Sequence, residues 1–361
     1  MDSSFLFGIS TMAYILAMIT YITYLAFRKT QIGITATTIT IIGFVSQTMA
    51  ILLRWKEFSD VSGMGILRSA PLTNLYESLI FFVWCLILGY LVIEFKYKTR
   101  SFGAFVTPVA GLALAFIDLS GMSKDIHPLM PALQSNWLLA HVTMSFISYA
   151  AFALSFSTGL MYLIVKTDKR SEGAYLFWSI TLGLFIALML TMGIDFLTFK
   201  VAVKPEEFIK SYLFRASFLN SSNSVQIMSW ISMAAIIFII WRYGSILKKV
   251  LEKFTISAES LDEITYKSIA VGFPIFTIGG LIFGAVWADQ AWGTYWSWDP
   301  KETWSLITWF FYAFYLHSRM IRGWRGKKVA IVAVIGFMAV IFTYLGVNLL
   351  LSGLHSYGEI E

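Results

Sequence analysis

Ten stretches of about twenty apolar residues, with most of the charges in the segments between them, decide what this chain can fold into. They run at about 5–27, 34–54, 75–95, 102–120, 138–165, 175–198, 224–246, 267–288, 303–320 and 329–350. Roughly 20 helical residues cross about 30 Å of hydrocarbon. Inside lipid, only helices and closed barrels satisfy every backbone N–H and C=O internally. These stretches lack the polar alternation of barrel strands. The expected fold is therefore all-α, a polytopic transmembrane helix bundle of about ten spans. Composition agrees: mean hydropathy is +0.72 and 13% of residues are charged, against about 25% in soluble domains. The first stretch, Phe5 to Phe27, is longer than a signal-peptide h-region, has no basic n-region and no small-residue cleavage site. It reads as a retained span.

The net charge of +6 would hint at nucleic acid in a soluble protein. Here the basic residues flank spans, so no nucleic-acid partner is expected. With both termini on the outer side, the inner loops hold Arg28 and Lys29, then Lys96, Lys98 and Arg100, then Lys166, Lys169 and Arg170. Arg242, Lys248, Lys249, Lys253 and Lys267 follow, and last Arg319, Arg322, Arg325, Lys327 and Lys328. That is most of the Lys and Arg, and the positive-inside rule favours this orientation. It exposes 55–74, 121–137, 199–223, 289–302 and the tail from Leu351 on the outer side. Segment 252–266 reads as a polar inner connection carrying a short interfacial helix. Cys85, the one cysteine, lies in an apolar run and supports neither an intrachain disulfide nor a metal set.

One outer segment carries a dense aromatic cluster, W-G-T-Y-W-S-W-D from Trp292 to Asp299. Tryptophan gathers at membrane interfaces, which accounts for scattered residues better than for this density. Trp292, Trp296 and Trp298 could equally form a platform for a large planar ligand, because indole faces combine stacking with apolar burial. Gly293 permits a turn or a close approach to backbone. Asp299 precedes Pro300 and, three residues on, Glu302, the pattern of an N-cap with a capping box.

The four histidines divide by position. His141 (S-N-W-L-L-A-H-V) and His355 (G-L-H-S-Y-G) fall on the outer side with the tryptophan loop. Two neutral imidazoles from opposite sides can ligate a haem iron axially. The alternative for each is an interfacial polar group at a helix end. His317 lies within the ninth stretch toward its inner end, where an ionisable residue is a functional hypothesis. It has no in-chain partner at its depth, so it ligates alone, pairs with another chain, or is a polar group beside Arg319. His127, next to Pro128, reads as surface.

At these residues the chain resembles the CcsA/ResC family of cytochrome c assembly proteins. W-A-D-Q-A-W-G-T-Y-W-S-W-D-P-K-E-T-W (287–304) resembles the family's WWD motif, and Y-L-G-V-N-L-L-L-S-G-L-H-S-Y-G (344–358) its C-terminal signature. P-L-T-N-L-Y-E-S-L (71–79) and P-A-L-Q-S-N-W-L-L-A-H-V (131–142) resemble two further segments. The resemblance implies an N-terminal pair of spans at 1–64 and a haem-handling domain at 65–358. It also implies an eight-span core, so 170–250 reads as a two-span insertion. Haem b, held transiently and non-covalently, would lie against Trp292, Gly293, Trp296, Trp298 and Asp299. His141 and His355 would be its axial ligands, and His317 would match the family's intramembrane histidine. The implied partners are a CcsB/ResB-type membrane protein, an apocytochrome c with a C-x-x-C-H segment, and a thiol-reducing protein. The chain would then be a subunit of a system II holocytochrome c synthase (haem lyase) complex. Its place would be the bacterial cytoplasmic membrane, with the WWD loop toward the periplasm or exterior.

Other readings are a WWD protein of system I, an electron-transfer b-type cytochrome and a transporter. The cytochrome wants paired histidines at membrane depth, where only His317 stands. The transporter wants midplane polar groups, for which Asp195 is the nearest candidate and lies near an outer end.

Overall fold

The computed structural model describes residues 2–63, 65, 70–72, 74–119, 126, 135–168, 170–202, 223–254, 257–347 and 351. The helices are α1 (Ser3–Phe27), α2 (Thr30–Ser62), α3 (Leu75–Tyr97), α4 (Gly103–Leu119), α5 (Asn136–Lys166), α6 (Gly173–Ala202) and α7 (Asn223–Phe254). A broken rod follows: α8 (Ala258–Ile275), a π-helical segment (Phe276–Phe283) and α9 (Gly284–Trp292). Then come α10 (Pro300–Met320) and α11 (Lys327–Ile341), which continues into a second π-helical segment, Phe342–Gly346. With each broken rod counted once, the described residues form ten rods at the ten apolar stretches. Eight are long and apolar enough to cross a membrane. Of the other two, α4 is apolar but short and α10 carries more polar residues.

Local chemistry sets the boundaries. Asp2, Asn74 and Ser135 accept backbone N–H groups at the starts of α1, α3 and α5, as N-caps do. Arg28, Gly63 and Lys98 close α1, α2 and α3 in the left-handed region. The expected interfacial helix within 252–266 is not a separate element. α7 ends at Phe254, and α8 begins at Ala258 under a Ser257 cap. The polar residues form the first turns of the rod itself. Glu259 pairs with Lys166 at 3.4 Å, Asp262 with Arg319 at 2.7 Å and Glu263 with Lys267 at 3.3 Å. Charges met by neighbours let the helix run on past its apolar part.

Side-chain contacts sort the loops onto two ends of the bundle. At one end, Ser3 donates from N–H and Oγ to Glu57 at 3.0 and 2.5 Å, and Ser135 donates to Gln290 at 2.8 Å. Thr343 donates to the Trp304 carbonyl at 3.1 Å, and the hydroxyls of Ser78 and Tyr344 bond each other. At the other end, Lys327 meets Glu172 at 2.5 Å, Lys248 meets Asp168, and Tyr21 and Thr37 donate to Glu94 at 2.9 and 2.6 Å. The Lys248 ammonium beside Asp168 holds that carboxyl below its ordinary range.

α5 is the central rod, packed on α3, α8, the first π-helical segment and α11. Its buried Ser157 and Thr158 return their hydroxyls to the carbonyls of Ala153 and Leu154, so they add no unmet polar group. Phe152 stacks on Tyr312 of α10 with centroids 3.6 Å apart. Apolar side chains such as Ile34, Leu52, Ile231 and Phe238 stay exposed on α2 and α7, the surface a bilayer would cover.

Near the first end, Arg54 of α2 and Glu77 of α3 form a buried ion pair at 3.0 Å, beside a cavity of about 190 Å³. Removing one partner of a buried pair leaves an uncompensated charge and costs about 3–5 kcal/mol. Glu77→Ala should lower the unfolding temperature in detergent markedly, and Glu77→Gln by less. A thermal scan of the purified variants checks this.

Candidate functional site

The site is built where the start of α5 meets the end of the broken rod. Ser135 caps α5 and bonds Gln290, while Trp137 stands edge-on to Phe283 at 5.2 Å. These contacts fix the first turns of α5, and His141 follows on that helix. Its Nδ1 lies 2.8 Å from the Gly279 carbonyl, inside the π-helical segment. Trp287, buried on α9, lies parallel to the imidazole within 10°, centroids 6.4 Å apart. Trp292 packs edge-on against Trp287 at 4.9 Å. Trp287 is thus a neighbour whose ring aligns with the histidine.

Sequence reasoning gave Trp287 no such role. The available signal was Gly284 followed three residues later by Trp287, a small residue and a large ring on one helical face. The irregularity also has a sequence cause. Pro274 lacks an N–H and crowds the carbonyl one turn back, and Gly279 and Gly280 weaken the helix that follows.

The tryptophan loop is held from its far side. α9 ends at Gly293, whose φ of 76° needs the freedom of glycine and whose N–H bonds the Asp289 carbonyl at 2.8 Å. Trp298 sits at φ 59°, which costs a residue with a Cβ about 1–2 kcal/mol. Its neighbours impose it. One Glu302 carboxylate oxygen accepts Ser297 N–H at 2.8 Å, Ser297 Oγ at 3.1 Å and Asp299 N–H at 3.3 Å. Hydrogen bonds to a charged group contribute about 1.5–3 kcal/mol each, so the carboxylate outweighs the strain. Asp299 caps α10 as its sequence pattern predicts, accepting Lys301 N–H at 3.0 Å. It is buried, so the residue expected on the platform faces the helix start. Trp298 and Tyr295 are exposed, and Trp296 packs edge-on against Trp298 at 5.9 Å. The buried Trp296 Nε1–H has no hydrogen-bond partner among the described residues.

The last rod reaches the same end. Phe342 packs on Trp304 at 4.1 Å, and Tyr344 meets Phe146 of α5 at 5.0 Å. Lys301 Nζ stands 5.7 Å from the Tyr344 ring centroid. His355 and His127 lie outside the described residues, as does most of 199–223. His317 lies toward the opposite end, on an exposed stripe of α10 with Phe310, Phe314 and Ile321. Arg319, two residues on, turns inward to Asp262, so the two do not act as one polar patch.

The geometry defines a multi-span helical membrane protein in which a tryptophan loop, a fixed imidazole and the end of the last rod share one end of the bundle. The cytochrome C assembly protein family matches residues 72–355, and the chain belongs to that family. Among its relatives, a Gloeobacter violaceus protein named cytochrome c biogenesis protein CcsA is 38% identical over 322 residues, covering 89% of this chain and 85% of its own. A protein of the same name from Pyropia yezoensis is 39% identical over 348 residues, 95% of this chain and 93% of its own. One from Marchantia polymorpha is 37% identical over 332 residues, covering 89% and 88%.

Losing an N-cap costs about 1 kcal/mol. Asp299→Ala should therefore speed amide exchange across 297–303, and Asp299→Asn, which still accepts, should leave it near the wild-type rate. Hydrogen–deuterium exchange read by mass spectrometry checks both.

Proposed function

We propose that this chain works in cytochrome c biogenesis by binding haem as its substrate and presenting it on the WWD loop for attachment to an apocytochrome c. The observation that carries the reading is His141. A carbonyl can only accept, so the bond to Gly279 places the imidazole proton on Nδ1 and leaves Nε2 with its lone pair. That is the state a neutral histidine needs to bind iron. The Trp296 N–H, without a partner among the described residues, and the exposed indole of Trp298 supply a donor and an apolar face on the loop at the same end of the bundle.

In this reading His141 and His355 hold the iron from two sides, and Trp292, Gly293, Trp296 and Trp298 shape the wall along the porphyrin. Asp299 supports that wall from behind, through the cap. Haem supplies the vinyl groups that the thiols of a C-x-x-C-H segment add to. His317 takes an earlier role with a histidine of a CcsB/ResB-type companion. Its exposed, otherwise apolar stripe supports a partner from outside the chain, since an ionisable group facing lipid is costly. The basic loops support an orientation with the loop end of the bundle outward, toward the periplasm or exterior. The haem is b-type and transient, the pathway is system II, and a thiol-reducing protein keeps the cytochrome thiols free.

Purified with its companion from haem-replete cells, the protein should carry non-covalent b-type haem by pyridine-haem spectrum. His141→Ala and His355→Ala should each weaken that haem and lower holocytochrome c. His317→Ala should lower haem at both positions. A colourless wild-type complex, or normal cytochrome maturation in both outer-face variants, overturns the reading.

A further inference from the structure

In an α-helix each interior carbonyl is taken by the N–H four residues ahead, so a helix flank offers little to a neighbouring side chain. The segment Phe276–Phe283 departs from that pattern, and π-helical turns inside helices often mark functional places. Gly279 lies in its middle, and its carbonyl is the one that Nδ1 of His141 reaches, at 2.8 Å.

Two glycines shape the seat. A Cβ on Gly284 would fall 2.9 Å from both Cε1 and Nδ1 of the His141 ring. A Cβ on Gly279 would fall 2.1 Å from Cβ of Met144, one turn beyond His141 on α5, and would force the two rods apart. Trp287 lies nearly parallel to the imidazole, with centroids 6.4 Å apart. The ring is thus bounded by the Gly279 carbonyl at Nδ1 and by Gly284 at its edge, with Trp287 aligned alongside.

We propose that the π-helical segment is a positioning device for His141. The Gly279 carbonyl holds the neutral ring as its Nδ1–H tautomer, Gly279 and Gly284 set the ring plane, and Nε2 is left as the ring's free donor atom. The assignment of that donor to haem iron rests on the function proposed above; the tautomer does not. A carbonyl on the far nitrogen also raises the basicity of an iron-binding imidazole, and losing such a partner typically costs about 10–100-fold in metal affinity. Gly279 and Gly284 act through the histidine, so they are positioning residues.

Nitrogen NMR of the full chain, labelled at histidine and held haem-free in nanodiscs, reads the tautomer directly. His141→Gln assigns the signal. A protonated Nδ1 and an unprotonated Nε2 at neutral pH are expected, and an Nε2–H tautomer or an exchange-averaged pair overturns the proposal. In the complex with its companion, Gly284→Ala should weaken retention of the outer haem about tenfold or more and shift its midpoint potential. Ile282→Ala, on the exposed side of the same segment, should change neither. Wild-type retention and potential in Gly284→Ala would also overturn it. The NMR arm uses the unaltered chain, so a variant that fails to fold does not blunt the test. An Nδ1–H tautomer together with a haem spectrum indifferent to His141→Gln would support the positioning and reject the iron assignment.

Discussion

Hydrocarbon offers a backbone amide nothing to bond to, and an unmet group there costs several kcal/mol. The whole architecture follows from that. Each apolar stretch becomes a helix because a helix closes its own hydrogen bonds, and the rods then pack through the few faces that are not needed against lipid. Under such a constraint a departure from α-helical bonding needs local compensation. Two π-helical segments occur among the described residues, at Phe276–Phe283 and Phe342–Gly346. The first sits against His141, and the second places Tyr344 on Ser78, Phe146 and Tyr149. In both, a side chain of another rod engages the irregular turn.

The rods themselves were legible because length and hydropathy determine most of them; α4 is short and α10 more polar, and their places follow from the spans around them. Asp299, Pro300 and Glu302 were legible for a different reason: a capping box is local, and no distant contact decides it. Segment 252–266 misled because its charges look like a loop until Lys166, Arg319 and Lys267 are seen to meet them. Pro274 and the glycine pair announce a weak point in a helix, yet which carbonyl turns to which histidine depends on how α5 crosses the rod. Trp287 was hidden likewise. Its neighbours in sequence look like the rest of the aromatic cluster, and only the packing aligns it with the imidazole.

Rigidity is distributed unevenly around the loop. Glu302 and Asp299 fix its C-terminal side through the start of α10, and Gly293 with Asp289 fixes its N-terminal side. Between them Tyr295 and Trp298 stand exposed. Under the proposed function, a surface anchored at both ends with rings presented between them suits a planar cargo that is held and handed on: the anchors preset the geometry, and the open face leaves room for a second reactant. A pocket closed over the rings would hold such a cargo more tightly and release it less readily.

His141 and His317 meet opposite conditions on the same scaffold. The first is fixed within the chain by a carbonyl, a glycine seat and a tryptophan, so its orientation is set before any ligand arrives. The second stands on an exposed stripe with Phe310, Phe314 and Ile321. Preorganisation lowers the cost of binding because the ordering is already done. By that argument, and under the proposed function, the His141 end should bind its ligand with little rearrangement, whereas the His317 end should acquire its geometry when the companion covers the stripe. Under the proposed function such a chain divides the work: loading depends on a companion at the His317 stripe, and the His141 end, with His355, holds the cargo while a third protein reacts with it. α10 runs between the two, joining the capped loop at its first turn to His317 near its last.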